Sequence, residues 1–181
     1  ENDQVQKCYF WIAQKTKDQQ EYPESFSARE RMGSLDEGLK RVYVYYFNED
    51  DSQGKKAATD FKVIFQNDMY AMGLAFPKTG RTHQIRVHAL AHGLPLIGDK
   101  LYLESYELFQ RFKDNLATQE DHQKMMVPRH ALHAFGIKIK YQNHPKVFFS
   151  DLPRDFLTFI QNNFNVDERE IFARAKELAH N

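Results

Sequence analysis

Cysteine is almost absent. Cys8 stands alone, so no disulfide within the chain can brace the fold, and its place in an apolar run beside Lys7 suits an inert core thiol better than a nucleophile. No apolar run approaches the roughly 20 residues that cross a bilayer, and the opening "ENDQVQKCYF" lacks a signal-peptide layout, which points to a cytoplasmic protein. Gly-x-Ser-x-Gly, P-loop and Gly-x-Gly-x-x-Gly patterns are all missing, which removes the usual supports for elbow hydrolases and nucleotide-phosphate folds. Nor is there a surplus of charge: Lys and Arg together number 25, as do Asp and Glu, so any anion site must come from local segregation. What is abundant is core material. Hydrophobic residues make up 41% and aromatics 14% of the 181 residues, with few glycines and prolines, which is the composition of one packed domain rather than a disordered chain.

Residues 6–14, "QKCYFWIAQ", read as a strand, dense in aromatic and β-branched side chains. Residues 15–40 have no sustained period and read as loops with at most a short helical turn. "KRVYVYYFN" (40–48) is a further strand by composition. "AATDFKVIFQ" sets Phe61, Val63 and Phe65 against Asp60, Lys62 and Ile64, and with "MYAMGLAF" after Gln66-Asn67-Asp68 it predicts an antiparallel hairpin. Residues 103–127 suit one amphipathic helix bearing Tyr106, Phe109 and Phe112. "ALHAFGIKIKYQ" returns to period two, placing Phe135, Ile137, Ile139 and Tyr141 on one face. Helical spacing in "LPRDFLTFIQNNF" and "VDEREIFARAKELAHN" predicts two terminal helices, and the whole order indicates an α+β fold with a mostly antiparallel mixed sheet and flanking helices.

Charge segregates at "KTGRTHQIRVHALAHG", residues 78–93, inside a stretch with no acid between Asp68 and Asp99. Thr82 is a good N-cap and Gly93, with Pro95 beyond it, a good stop, so a helix is expected over about His83 to His92. Thr79, Gly80, Arg81 and Thr82 would put backbone amides and a guanidinium at that helix start, where the dipole favours a phosphate. Arg86, one turn in and among Ile85, Val87, Ala89 and Leu90, is placed to be partly desolvated and needs a carboxylate or phosphate partner. A structural ion pair with an acid elsewhere in the chain and a functional anion contact are evenly matched on spacing alone. His88 and His92 at i and i+4, with His83 a turn earlier, could chelate zinc, but no glutamate follows the first histidine and the rings more simply pack or cap backbone groups.

Residues 79–102, "TGRTHQIRVHALAHGLPLIGDKLY", resemble the signature of the RluA-type RNA pseudouridine synthases. "VQKCY" resembles that family's Lys-x-Tyr strand, "KKAATDFKVI" its Ala-x-Thr strand, and "ALHA" with "LPRDF" its closing strand and helix, so the likeness runs from Val5 to about Phe156. The resemblance implies isomerisation of specific uridines to pseudouridine in structured RNA, rRNA or tRNA, by a monomer that uses neither cofactor nor metal. Tyr9 then corresponds to the tyrosine that stacks on the target base and Arg86 to the arginine that pairs with the catalytic aspartate, with Ile85 in the pocket wall. Lys7, Arg81, Thr82 and His83 correspond to supporting or RNA-backbone contacts, and Asp99 belongs to a Gly-Asp-x-x-Tyr turn read as structural.

The sequence departs from the family at three points. Trp11 stands where a small residue is usual, and Leu103 where glycine is common. The His-Arg-Leu-Asp motif that carries the nucleophilic aspartate occurs nowhere in the sequence. The expectation is therefore a single domain over residues 1–181 that is the C-terminal portion of a catalytic domain, inactive without its upstream segment. The alternative is a synthase-like domain that binds RNA without modifying it.

Overall fold

The computed structural model describes residues 5–16, 21–34, 42–142 and 144–180. Six strands form one sheet in the order β2-β5-β6-β1-β7-β8: β1 (Val5–Gln14), β2 (Ser25–Ala28), β5 (Thr59–Gln66), β6 (Tyr70–Pro77), β7 (Leu132–Tyr141) and β8 (His144–Phe149). Every pairing in it is antiparallel, so the mixed character expected from the sequence is absent among the described residues. Two short strands, β3 (Arg31–Gly33) and β4 (Tyr45–Phe47), make a separate ribbon. The helices are α1 (Gln84–Ala91), α2 (Tyr106–Lys113), α3 (Gln119–Met125), α4 (Arg154–Asn163) and α5 (Glu168–His180).

The two faces of the sheet bury different material. On one, Phe10, Ile12, Met72, Leu74 and Phe135 meet Phe156, Phe159 and Ile160 of α4 and Ile171 and Ala175 of α5, an apolar layer assembled from the alternate residues of the strands. On the other, Trp11, Ala13, Phe61, Ala71 and Ala75 pack on Ile85 and Ala89 of α1. Gly73 makes room there: a Cβ would stand 2.0 Å from the Lys62 carbonyl oxygen and 3.0 Å from the Trp11 ring, so the large Trp11 is accommodated by a missing side chain on the next strand. The outer side of α1 is covered as well, because Val87 joins Met32, Val44, Leu101 and Tyr102 under the β3–β4 ribbon. Covered on both sides, α1 is apolar nearly all round apart from Gln84, Arg86 and His88.

Several expectations need correction. The loop region 15–40 contains β2 and β3; its residues 17–20 and 35–40 lie outside the described set. Of the strand expected over 40–48, only Tyr45–Phe47 pairs, and residues 40 and 41 lie outside the described set. The single helix expected over 103–127 is two, because Asp114 caps α2 and Thr118 opens α3 with a capping box to Asp121. Strand β8 is an addition to the sequence reading.

Two β-bulges explain the strand faces that were misassigned. Cys8 pairs Gly136 but Tyr9 pairs Ala134, so Phe135 is the extra residue. It turns into the α4–α5 core, while Ile137 and Tyr141 stay on the α1 side and remain 37% and 50% exposed. Likewise Val63 pairs Gly73 and Phe65 pairs Met72, which moves Phe65 to the face opposite Phe61.

Candidate functional site

A polar chain fixes the start of α1 against β5, and its direction can be read donor by donor. The Ala58 amide donates to Thr79 Oγ1 at 3.0 Å, and that hydroxyl donates to Gln84 Oε1 at 2.6 Å. Gln84 Nε2 donates to the Ala58 carbonyl and to Thr59 Oγ1, both at 2.9 Å. Thr59 Oγ1 lies 2.8 Å from His88 Nδ1, and His88 Nε2 lies 3.1 Å from the Glu30 carbonyl oxygen. A carbonyl only accepts, so His88 carries its proton on Nε2 and takes the Thr59 hydroxyl proton at Nδ1. Burial keeps the His88 pKa below 6.5, consistent with this neutral tautomer. Gln84 and His88, both fully enclosed, thus serve to position the helix.

The helix begins differently from the sequence expectation. Thr82 is not the cap; His83 is, in the left-handed region at φ 56°, with no side-chain cap bond. Gln84 Oε1 accepts from the Arg81 amide at 2.9 Å instead. At the other end Gly93, at φ 74°, supplies the expected left-handed stop. The unusual His83 backbone carries its ring to Tyr102, with Nδ1 2.9 Å from the phenol oxygen. That oxygen also accepts from the Val44 amide at 3.0 Å; with its hydroxyl donating to His83 Nδ1, the imidazole N–H sits on Nε2. Burial, and then the charge of Arg86, lower the His83 pKa.

Against this frame lies a cavity of about 390 Å³. Tyr9 and Lys7 enter it from β1, beside the bulge, and Leu132 from β7; Arg81, His83, Ile85 and Arg86 enter from α1 and its approach. The structure therefore brings together Lys7, Tyr9, Arg81, His83, Ile85 and Arg86, six of the seven residues singled out in the sequence. Thr82 stands apart, in a neighbouring cavity walled by Met32, Gly33, Lys55 and Arg81. Among the described residues no acidic side chain lines the Tyr9 cavity, and Lys7, Lys78, Arg81 and Arg86 give it a positive lining. Lys78 is partly offset by Asp60 at 3.4 Å, and Arg81 Nε donates to the Lys56 carbonyl.

Arg86 has a carboxylate partner within the chain. Its Nε and Nη2 donate to Asp99 Oδ2 and Oδ1, both at 2.6 Å, and its guanidinium lies 4.8 Å from the centre of the Tyr102 ring. Asp99 Oδ1 also accepts from the Leu101 and Tyr102 amides. Of the two readings left open by the spacing, the ion pair with an acid elsewhere in the chain is the one seen, and Asp99 holds its turn through the two amides while also binding Arg86. Asp99 is the neighbour of Arg86 that the sequence reading did not pair with it; its signal was that it closes the acid-free stretch. Among the described residues Nη1 of Arg86 has no partner.

The three histidines weighed as zinc ligands have different partners: His83 meets Tyr102, His88 meets Thr59 and Glu30, and His92 Nε2 lies 3.0 Å from the Glu30 carboxylate. Among the described residues no group of three His, Cys, Asp or Glu is arranged to hold a metal.

The family model described as "RNA pseudouridylate synthase" matches residues 1–91. "Ribosomal large subunit pseudouridine synthase D" of Borreliella burgdorferi is 31% identical over 123 residues, 67% of this chain and 33% of that protein. "Dual-specificity RNA pseudouridine synthase RluA" of Escherichia coli K12 is 34% identical over 104 residues, 57% of this chain and 40% of that protein. The chain thus spans about a third to two fifths of the length of these relatives. The solved structure of human RNA Pseudouridylate Synthase Domain Containing 4 shares the fold, with a TM-score of 0.61, 20% identity, and coverage of 87% of this chain and 61% of that one.

Proposed function

The chain belongs to the RNA pseudouridylate synthase family, in its RluA-type branch, and on that premise we propose that the intact protein converts specific uridines of structured RNA, rRNA or tRNA, to pseudouridine in the cytoplasm, acting as a monomer. The observation that carries this reading is the cavity in which Tyr9 and Arg86 meet, lined by no acid among the described residues. A flipped uridine stacks on the Tyr9 ring against Ile85 and Leu132, out of bulk water, where the cost of unstacking is offset by burial of the base. Lys7 and Arg81 hold the flanking phosphates, and His83 and Thr82 support them.

In this reading the N1–C1′ bond breaks, the uracil turns, C5 bonds to C1′, the C5 proton leaves and N1 regains a proton. No metal or cofactor takes part. The nucleophile is an aspartate supplied from outside this chain, which is then the C-terminal portion of a larger catalytic domain. Asp99 holds the Nε–Nη2 edge of the Arg86 guanidinium, and Nη1 is left to pair with the incoming carboxylate. Asp99 so becomes the positioning residue for the arginine.

The alternative is a synthase-like domain that binds structured RNA without isomerising it, and the neutralised Arg86–Asp99 pair is the feature that favours it. RNA labelled with tritium at uridine C5 separates the two. The intact protein is expected to release tritium from rRNA or tRNA, and Arg86→Ala to stop the release while keeping most of the RNA affinity. Binding without release by the wild type would leave only the non-catalytic reading.

A further inference from the structure

A second cavity, of about 350 Å³, lies on the other side of Arg86. It is lined by His83 and Arg86, which also line the Tyr9 cavity, and by Asp99, Lys100, Arg129 and His130. The two spaces therefore share a wall, and a ligand that fills one ends against the other.

Charge in this second space is one-sided. Among the described residues Asp99 is the single acid in its lining, and four donors already occupy its oxygens: Arg86 Nε and Nη2 and the amides of Leu101 and Tyr102. Arg129 leans outward on Asp155 at 3.3 Å, with its guanidinium over Phe156. Lys100 has no carboxylate partner among the described residues; its ammonium lies 4.8 Å from the centre of the Phe112 ring, a contact that leaves its charge uncompensated. With the Tyr102 hydroxyl donating to its Nδ1, His83 has its N–H on Nε2. Burial first, and then the Arg86 charge, hold His83 and His130 toward their neutral forms, with Asp99 pulling in the opposite direction.

We propose that this cavity is a phosphate subsite, which takes the RNA backbone phosphate adjoining the nucleotide held in the Tyr9 cavity, with Lys100, His130 and His83 as its donors. The assignment rests on the proposed RNA reading for the identity of the ligand, and on the cation cluster for its charge. A phosphodiester suits it better than a carboxylate. The donors come from three separate segments rather than from one free guanidinium fork, since the Arg86 fork is spent on Asp99. The shared wall with a base-sized cavity fits a ligand that carries an anion next to a planar ring.

The test is histidine ring NMR on the full 181-residue chain, titrated with inorganic phosphate, then with uridine and with uridine monophosphate. Phosphate should move the His83 and His130 signals saturably and leave the enclosed His88 unmoved; uridine monophosphate should do the same, whereas uridine should spare His130. Lys100→Ala should weaken the phosphate response about threefold to tenfold with an unchanged His88 spectrum, which shows that the variant is folded. In the intact protein the same change should lower the salt slope of RNA binding by about one. No saturable shift, a shift unchanged in Lys100→Ala, or an unchanged salt slope would each overturn the subsite. Failure of the tritium release assay with the phosphate response intact would overturn the proposed enzyme activity and leave the subsite standing.

Discussion

Arg86–Asp99 and Arg111–Asp121 are the same bond in two places: each guanidinium gives Nε and Nη2 to the two oxygens of one aspartate at 2.6–2.8 Å. Their surroundings differ. Asp99 is 0% exposed and Arg86 14%, whereas Arg111 is 41% exposed. The Arg111 pair ties α2 to α3 at a corner where Asp121 already closes a capping box. The Arg86 pair stands between two cavities, with its carboxylate fully enclosed and its guanidinium nearly so. Asp121 is itself only 5% exposed, so the difference lies with the arginines: a fork whose guanidinium reaches solvent is a local clip, while one whose guanidinium is enclosed fixes a charge in a site.

The comparison is broken most forcefully at Asp99. Asp99→Ala should leave the largely enclosed Arg86 cation without its carboxylate and two amides unaccepted, destabilising the fold by about 3–5 kcal/mol in denaturant unfolding; a loss below about 1 kcal/mol would mean that the pair is in effect solvated. Next in size is Arg86→Lys, which keeps the charge but not the fork. It should reduce turnover of the intact protein by about a hundredfold through misplacement of the cation, with RNA affinity largely kept.

Acidity offers a smaller lever on the same frame. The folded pKa of His88 lies below 6.5 because of burial, so the unfolded chain binds its proton more readily. Stability should be complete above pH 6.5 and fall as pH drops through 6.5 toward the folded value, with His83 and His133 acting in the same direction. Denaturation midpoints one unit above and one unit below that pH should show the loss, and His88→Gln should flatten it. The smallest effect belongs to Arg111→Ala, which should lower the melting temperature by much less than Asp99→Ala and leave RNA affinity unchanged; an equal loss would erase the distinction between the two forks.

How much of this was legible in the sequence depended on whether the signal was local. Gly93 marks the end of α1 because only its own backbone has to adopt φ 74°. The β5–β6 hairpin and the terminal helices follow from period alone. The bulges at Phe135 and Ile64 broke the period in a way that no residue type announces, and they moved Phe135 and Phe65 across the sheet. Thr82 looked like a cap, but Thr79 and Gln84 satisfy the helix start through contacts with β5 that exist only once the sheet is formed. Lys7, Tyr9 and Arg86 were visible as a resemblance, and their convergence on one cavity is a property of the fold. Asp99 lies thirteen residues beyond Arg86, across the Gly93 turn, so its role could be seen only when the turn brought the two together.

The central claim is that the Tyr9 and Arg86 cavity is where a uridine becomes a pseudouridine. Its most direct test is to map pseudouridine across all cellular rRNA and tRNA with the gene for the intact protein present and deleted, and with Tyr9→Ala in its place. Loss of modification at one site or a small set of sites on deletion, restored by the wild type and not by Tyr9→Ala, is the predicted result. An unchanged map on deletion would contradict the account.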